Sequence, residues 1–137
     1  MILVSLDIDG TLEGGDPPGP IPLEFARRLQ ALGVVVGSSS DRTLTDQRRF
    51  WQAGGVEIDF VVLKHHLPDL PGKFDCGRYL HIGDTNQDVY FARLAGFEFW
   101  HVDSLEKPGP GEHPAQAMID LLLLRLSGDP SVDGQAG

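Results

Sequence analysis

Ile2-Leu3-Val4-Ser5-Leu6-Asp7-Ile8-Asp9-Gly10-Thr11 is the stretch whose reading decides the fold. An apolar run of five residues, too short for a helix and closed by a Gly-Thr turn, reads as a buried strand over Ile2–Leu6 that stops at two carboxylates. Runs of the same character at 34–36, 58–63, 79–82 and 97–102 bring the number of expected strands to five. Helical patterns lie between them. Phe25, Leu29 and Leu32 recur at i, i+4 and i+7 before Gly33, and Leu44, Phe50 and Trp51 precede Gly54-Gly55. Val89, Phe91, Ala92, Leu94 and Ala95 precede Gly96, and a last helix is expected from Pro114 to Leu126. Residues 67–77, with Pro68, Pro71 and Gly72, are expected to be loop with at most a short helix. This alternation predicts an α/β chain: a five-stranded parallel sheet, helices on both faces, right-handed crossovers, a three-layer Rossmann-like sandwich.

The composition fits that frame. With 137 residues and 41% hydrophobic content, the chain is expected to form one domain over 1–126, followed by a flexible polar tail over 127–137. A formal charge of −9 disfavours nucleic acid and anionic membrane as partners. Cys76 is the lone cysteine, so no intrachain disulfide can form, and it reads as a reduced structural thiol. No apolar run approaches the roughly 18 residues of a membrane span, and no signal-peptide pattern opens the chain, so a cytoplasmic location is expected.

A second strand ends in Gly83-Asp84-Thr85-Asn86-Gln87-Asp88. The carboxyl ends of parallel strands border the ligand crevice, so two such ends side by side would gather several acids at one point. Such a cluster repels itself unless a cation sits in it, and hard oxygen ligands suit Mg²⁺. Asp7 and Asp9, two apart in near-extended chain, leave the backbone on one side, leaving room for a phosphorus atom between them. Asp7 is then the expected nucleophile of a phosphomonoester hydrolase, and Asp9 the acid and base. Gly10 and Thr11 offer backbone N–H groups to a phosphate oxygen, although the same residues also suit an ordinary Asx turn. Thr85-x-x-Asp88 has the form of a capping box, which competes with metal or lysine pairing for Asp88.

Together the two segments resemble the haloacid dehalogenase superfamily of phosphohydrolases, whose first motif reads DxDGT and whose fourth reads GDxxxD. The resemblance covers roughly residues 1–105. It implies the strand order 5-4-1-2-3, a Mg²⁺ cofactor held by Asp7, Asp84, Asp88 and the backbone carbonyl of Asp9, and an aspartyl-phosphate intermediate. It also implies a Ser or Thr at the end of the second strand bonded to the transferred phosphate. Ser38 is the first choice and Ser40 the next if the strand runs longer; Ser39 stands in the phosphate-binding set too, although alternation turns its side chain to the other face. The three serines equally suit a turn and a helix cap. A lysine beside the nucleophile is implied as well, and Lys64 at the end of the third strand is preferred to Lys73, the remaining lysine being Lys107. No Lys-Pro pair follows Lys64, a departure from the family pattern.

Arg42 is either a phosphate contact or a surface charge. His65-His66 lacks zinc spacing and is expected at the mouth of the site, whereas His81, among apolar neighbours, reads as a satisfied core histidine. The segments between motifs are too short for a cap domain, so a capless enzyme is expected, its site closed by a large substrate, a neighbouring subunit or the flap over 14–20. The last helix carries leucines on more than one face, which points to a homo-oligomer. The expected substrate is a phosphorylated small molecule or phosphoprotein. Other readings are a catalytically idle module that binds phosphorylated ligands, and a phosphoacceptor switch, though the latter places its phosphorylated Asp where this chain has Lys64.

Overall fold

A computed structural model describes residues 1–105 and 110–127; Lys107 and the expected tail beyond Ser127 lie outside the described residues. The strands are β1 (Ile2–Leu6), β2 (Val35–Ser40), β3 (Phe60–Leu63), β4 (Arg78–Gly83) and β5 (Glu98–His101). They form one sheet in the order β3-β2-β1-β4-β5, every pair parallel. This is the α/β architecture and the strand order expected from the sequence, read from the opposite edge. The helices are α1 (Leu23–Ala31), α2 (Leu44–Ala53), α3 (Leu70–Lys73), α4 (Asn86–Ala95) and α5 (Pro114–Leu126).

Side chains alternate across β1, and the two cores follow that alternation. Val4 and Leu6 face α1, α2 and α5, where Phe25, Leu29, Trp51, Met118, Ile119 and Leu122 close the larger core. Leu3 faces the other side, with Phe60, Val62, Leu67, Leu70, Ala92 and Phe97. β1 is thus buried on both faces, which is why it reads as an apolar run broken only by Ser5.

Strands β3, β4 and β5 differ from expectation by one or two residues at their ends, and three further differences bear on the site or the surface. β2 runs to Ser40 rather than stopping at Val36, because each serine hydroxyl finds a partner and a polar strand end can therefore be buried. Residues 64–69 form a 3-10 turn that leads into the four-residue α3, so Lys64, His65 and His66 leave the extended conformation assumed for them. The His65 and His66 rings meet edge to face, and His66 pairs with Asp69. Leu32 is the C-cap of α1 and is exposed instead of closing its apolar stripe. Leu123 and Leu124 on α5 are also exposed. None of the described helices is long and apolar enough to cross a membrane.

Candidate active site

Because β1 and β4 are neighbours in register, the residues that follow them, Asp7 and Asp84, come together at the carboxyl edge of the sheet. Asp7 stays tied to β4 through its N–H, which donates to the Ile82 carbonyl at 3.0 Å. Asp88 enters from the first turn of α4, and one carboxylate oxygen from each of Asp7, Asp84 and Asp88 lies within 4.8 Å of the others. Lys64, delivered by the 3-10 turn after β3, sets its Nζ 3.4 Å from Asp7 Oδ1 and 3.2 Å from Asp88 Oδ1. Lys73 instead lines a cleft beside β3 with Arg48 and Phe74, so Lys64 is the lysine that reaches Asp7.

The acids in this cluster are not equivalent. Burial, the charge of Asp88 and a hydrogen bond shared with Asp84 outweigh the Lys64 ammonium and push the Asp7 carboxyl up to about 8. Burial works against the Asp88 carboxylate too, but hydrogen bonds from His81 and Thr85 and the charge of Lys64 hold it well below the ordinary carboxylate range. Lys64 itself is lowered by burial, yet Asp7 and Asp88 more than compensate and raise it above its ordinary value.

Asp88 takes both roles that its sequence position suggested as rivals. Its Oδ2 accepts from the N–H groups of Asp84 and Thr85 and from the Thr85 hydroxyl, and Thr85 Oγ1 accepts from Asp88 N, a complete capping box. Oδ1 accepts from His81 Nε2 at 2.7 Å and faces Lys64. These donors fill the roughly four lone-pair sites of a carboxylate. Asp88, expected from the sequence as a metal ligand, thus also caps α4 and pairs with Lys64, and it stands with Asp7 and Asp84 in the group of acids whose oxygens could hold an ion. Asp84 is different: its Oδ1 is buried with no hydrogen-bond partner among the described residues. A buried, unpaired carboxylate oxygen facing a second carboxylate is an environment made entirely of hard oxygen, and it fits a divalent cation such as Mg²⁺.

Asp9, expected both as acid and base and, through its carbonyl, as a metal contact, turns its carboxylate out of the cluster. It is bridged by Arg42, whose Nη2 lies 2.6 Å and Nε 3.2 Å from Oδ1 and whose Nε lies 3.1 Å from Oδ2. The Asp16 N–H also donates to it. The Arg42 hydrogen bonds hold the Asp9 carboxyl below its ordinary value. Arg42 is thus a partner of the site, and its guanidinium also lies over the Phe50 ring.

The phosphate-binding assignments change. Ser38 is fully buried, donating to Gln47 Oε1 at 2.7 Å and accepting from Trp51 Nε1 at 2.9 Å, so its hydroxyl is engaged in the core. Ser39 is bonded to Ser5 on the opposite face. Ser40 ends the strand, its Oγ accepting the N–H of Arg42, and is the serine at the carboxyl edge. The Gly10 N–H donates to Pro17 and that of Thr11 to Ile8, so both amides expected to cradle phosphate close the flap and the turn instead. The Thr11 hydroxyl is buried without a partner among the described residues. Gly10 itself is required: its φ is +76°, and a Cβ there would overlap the Asp84 carboxylate.

Gln47, Ser5 and the His81 link to Asp88 escaped the sequence reading. The polar Ser5 and His81 in otherwise apolar strand runs were the available signal, since a buried polar group needs a partner. Prominent clefts of about 540 Å³ against α5 and about 770 Å³ beside β3 lie away from the acid cluster. No protein-family model matches this sequence, and no curated protein matches it at a significant level.

Proposed function

We propose that this chain is a Mg²⁺-dependent phosphomonoesterase that forms an aspartyl phosphate on Asp7. The observation that carries the reading is the juxtaposition of Asp7 with the unpaired, buried oxygen of Asp84, at the ends of adjacent strands, and with Lys64 from the turn after β3. Asp7 and Asp84 are the residues that would hold the ion, whose chemistry there is to offset the charge of a carboxylate meeting a phosphate.

Asp7 supplies the attacking oxygen: a bond forms from its carboxylate to phosphorus as the ester P–O bond breaks. Lys64, a point charge restrained by two acids, keeps Asp7 oriented and offsets the phosphoryl oxygens. Asp9 gives its proton to the departing alkoxide, then takes one from the water that attacks the aspartyl phosphate, and inorganic phosphate is released. Arg42 holds Asp9 ionised, so before it can protonate the alkoxide Asp9 must leave Arg42 and take up a proton from water. The Ser40 hydroxyl, at the strand end, is the hydroxyl assigned to the phosphate. The setting outside the prominent clefts suits a phosphorylated group on a large substrate, such as a phosphoprotein, or a small molecule held by the flap.

The test is phosphate release from p-nitrophenyl phosphate with and without Mg²⁺. Turnover that needs the ion and is abolished by Asp7→Asn supports the reading. Binding of phosphate with no turnover under any divalent cation refutes it in favour of a binding module.

A further inference from the structure

Beneath the acid cluster runs a buried polar chain that the reaction steps do not use. Ser39 Oγ lies 2.6 Å from Ser5 Oγ, Ser5 Oγ lies 2.9 Å from His81 Nδ1, and His81 Nε2 lies 2.7 Å from Asp88 Oδ1. All four residues are fully buried. Ser5 and His81 are register partners on β1 and β4, so the sheet itself fixes their approach. The directions of these bonds follow from the inventory of donors. An ionised carboxylate only accepts, so Nε2 donates to Asp88. If Ser39 donates to Ser5 and Ser5 to Nδ1, every hydrogen in the chain has an acceptor. The serine pair therefore sets the histidine tautomer and ring plane, and the histidine in turn sets one oxygen of Asp88. That oxygen is the one facing Lys64 at 3.2 Å.

We infer that His81, backed by Ser5 and Ser39, is a positioning residue: it pins the Asp88 carboxylate so that Asp88 presents Lys64 to Asp7. A core histidine of purely structural value needs satisfied nitrogens and nothing more, whereas His81 places one of its two bonds on a carboxylate that also holds the site's lysine. Partners one bond removed from a reacting group orient it, and their loss typically lowers affinity or rate about 10–100-fold.

The inference rests on the phosphatase reading, so its test includes a readout that does not. His81→Leu removes both bonds, His81→Gln keeps a donor at the position of Nε2, and Ser5→Ala frees Nδ1. With p-nitrophenyl phosphate and Mg²⁺, kcat of His81→Leu is expected to fall about 10–100-fold with KM within about threefold, and His81→Gln to recover most of the loss. Independently, the Lys64 ammonium protons, sheltered between two acids, are expected to give a slowly exchanging NMR signal in the unaltered protein and in His81→Gln, lost in His81→Leu and weakened in Ser5→Ala. If His81→Leu does not fold, Ser5→Ala and His81→Gln decide by the same two readouts. A folded His81→Leu with unchanged kcat and an intact ammonium signal overturns the inference. Absence of turnover in the unaltered protein defeats the phosphatase reading alone; the ammonium signal then decides the positioning role, its persistence in His81→Leu counting against it.

Discussion

Gly10→Ala separates the Asp84 site from the fold that carries it. The substitution has two costs. The backbone sits at φ +76°, where an L side chain is strained by about 1–2 kcal/mol. The new methyl would also overlap the Asp84 carboxylate, with its Cγ at 2.6 Å, forcing that side chain off its rotamer for a further ~1 kcal/mol. Gly96→Ala is the matched control: the same φ of +76°, but nothing within 4 Å of the added carbon. Unfolding midpoints of a chain this size move roughly 3–5 °C per kcal/mol. Gly10→Ala is therefore expected to lose about 6–15 °C and Gly96→Ala about 3–10 °C. The decisive assay adds Mg²⁺. A cation at a hundredfold excess over its Kd stabilises by about 2.7 kcal/mol, so the unaltered protein and Gly96→Ala should rise together in a thermal melt. Gly10→Ala should fail to respond, because Asp84 no longer stands opposite Asp7. A full Mg²⁺ response in Gly10→Ala, with a loss of stability no greater than that of Gly96→Ala, refutes the placement of Asp84 as a ligand.

Lys64→Met leaves Asp7 and Asp88 without their shared cation and should cost about 3–5 kcal/mol in chemical denaturation, with part of the loss recovered when Asp7→Asn is added. Ser38→Ala should lower stability by about 1–2 kcal/mol while leaving turnover close to normal, since its hydroxyl serves Gln47 and Trp51; Ser40→Ala should do the reverse, and steady-state kinetics with a melt distinguishes them. The raised Asp7 carboxyl gives a pH dependence of definite sign. The folded state binds a proton that the unfolded chain releases near its ordinary 3.8, so this group's contribution is complete below that value and is lost as pH rises to about 8. Without divalent cation, stability should decline across that window, and Asp7→Asn should flatten the decline. Added Mg²⁺ competes with the proton, so its stabilising effect should grow from the acid side of the window to the alkaline side, as read by melts at several pH values.

The sheet was legible in the sequence because parallel strands buried on both faces cannot alternate polar and apolar residues. Ile2–Leu6 and the run before Gly83 stand out for that reason, and glycines end the intervening helices. Asp7, Asp84 and Lys64 were legible since each sits where an apolar run stops. The serines were not, because the fate of a hydroxyl on β2 depends on α2: Gln47 and Trp51 claim Ser38 from the next helix, and no periodicity within β2 records that. Arg42 was ambiguous for the same reason, its partner Asp9 lying on another strand's end. For Asp88 the sequence sets capping against metal or lysine pairing, yet a carboxylate has two oxygens, and here Oδ2 caps the helix while Oδ1 meets His81 and Lys64.

That division of Asp88 sets the charge balance behind the cation proposed at Asp7 and Asp84. Asp7, Asp84 and Asp88 share this corner with the Lys64 ammonium, which the exposed Asp41 also approaches at 3.8 Å. Asp88 has the better claim on it, because His81, Thr85 and two backbone N–H groups already favour its ionised form. Asp7 has Lys64 at a longer 3.4 Å, the repulsion of Asp88 and a hydrogen bond shared with Asp84, so its proton stays on toward pH 8. Ionising both Asp7 and Asp84 leaves the corner two positive charges short, with Asp84 Oδ1 still unpaired. A monovalent ion would leave half of that deficit and keep Asp7 partly protonated, and a protonated Asp7 is no nucleophile. The requirement for a divalent cation in the proposed reaction is therefore a consequence of how this fold distributes its hydrogen-bond donors: generously to Asp88, and hardly at all to the two acids that face each other.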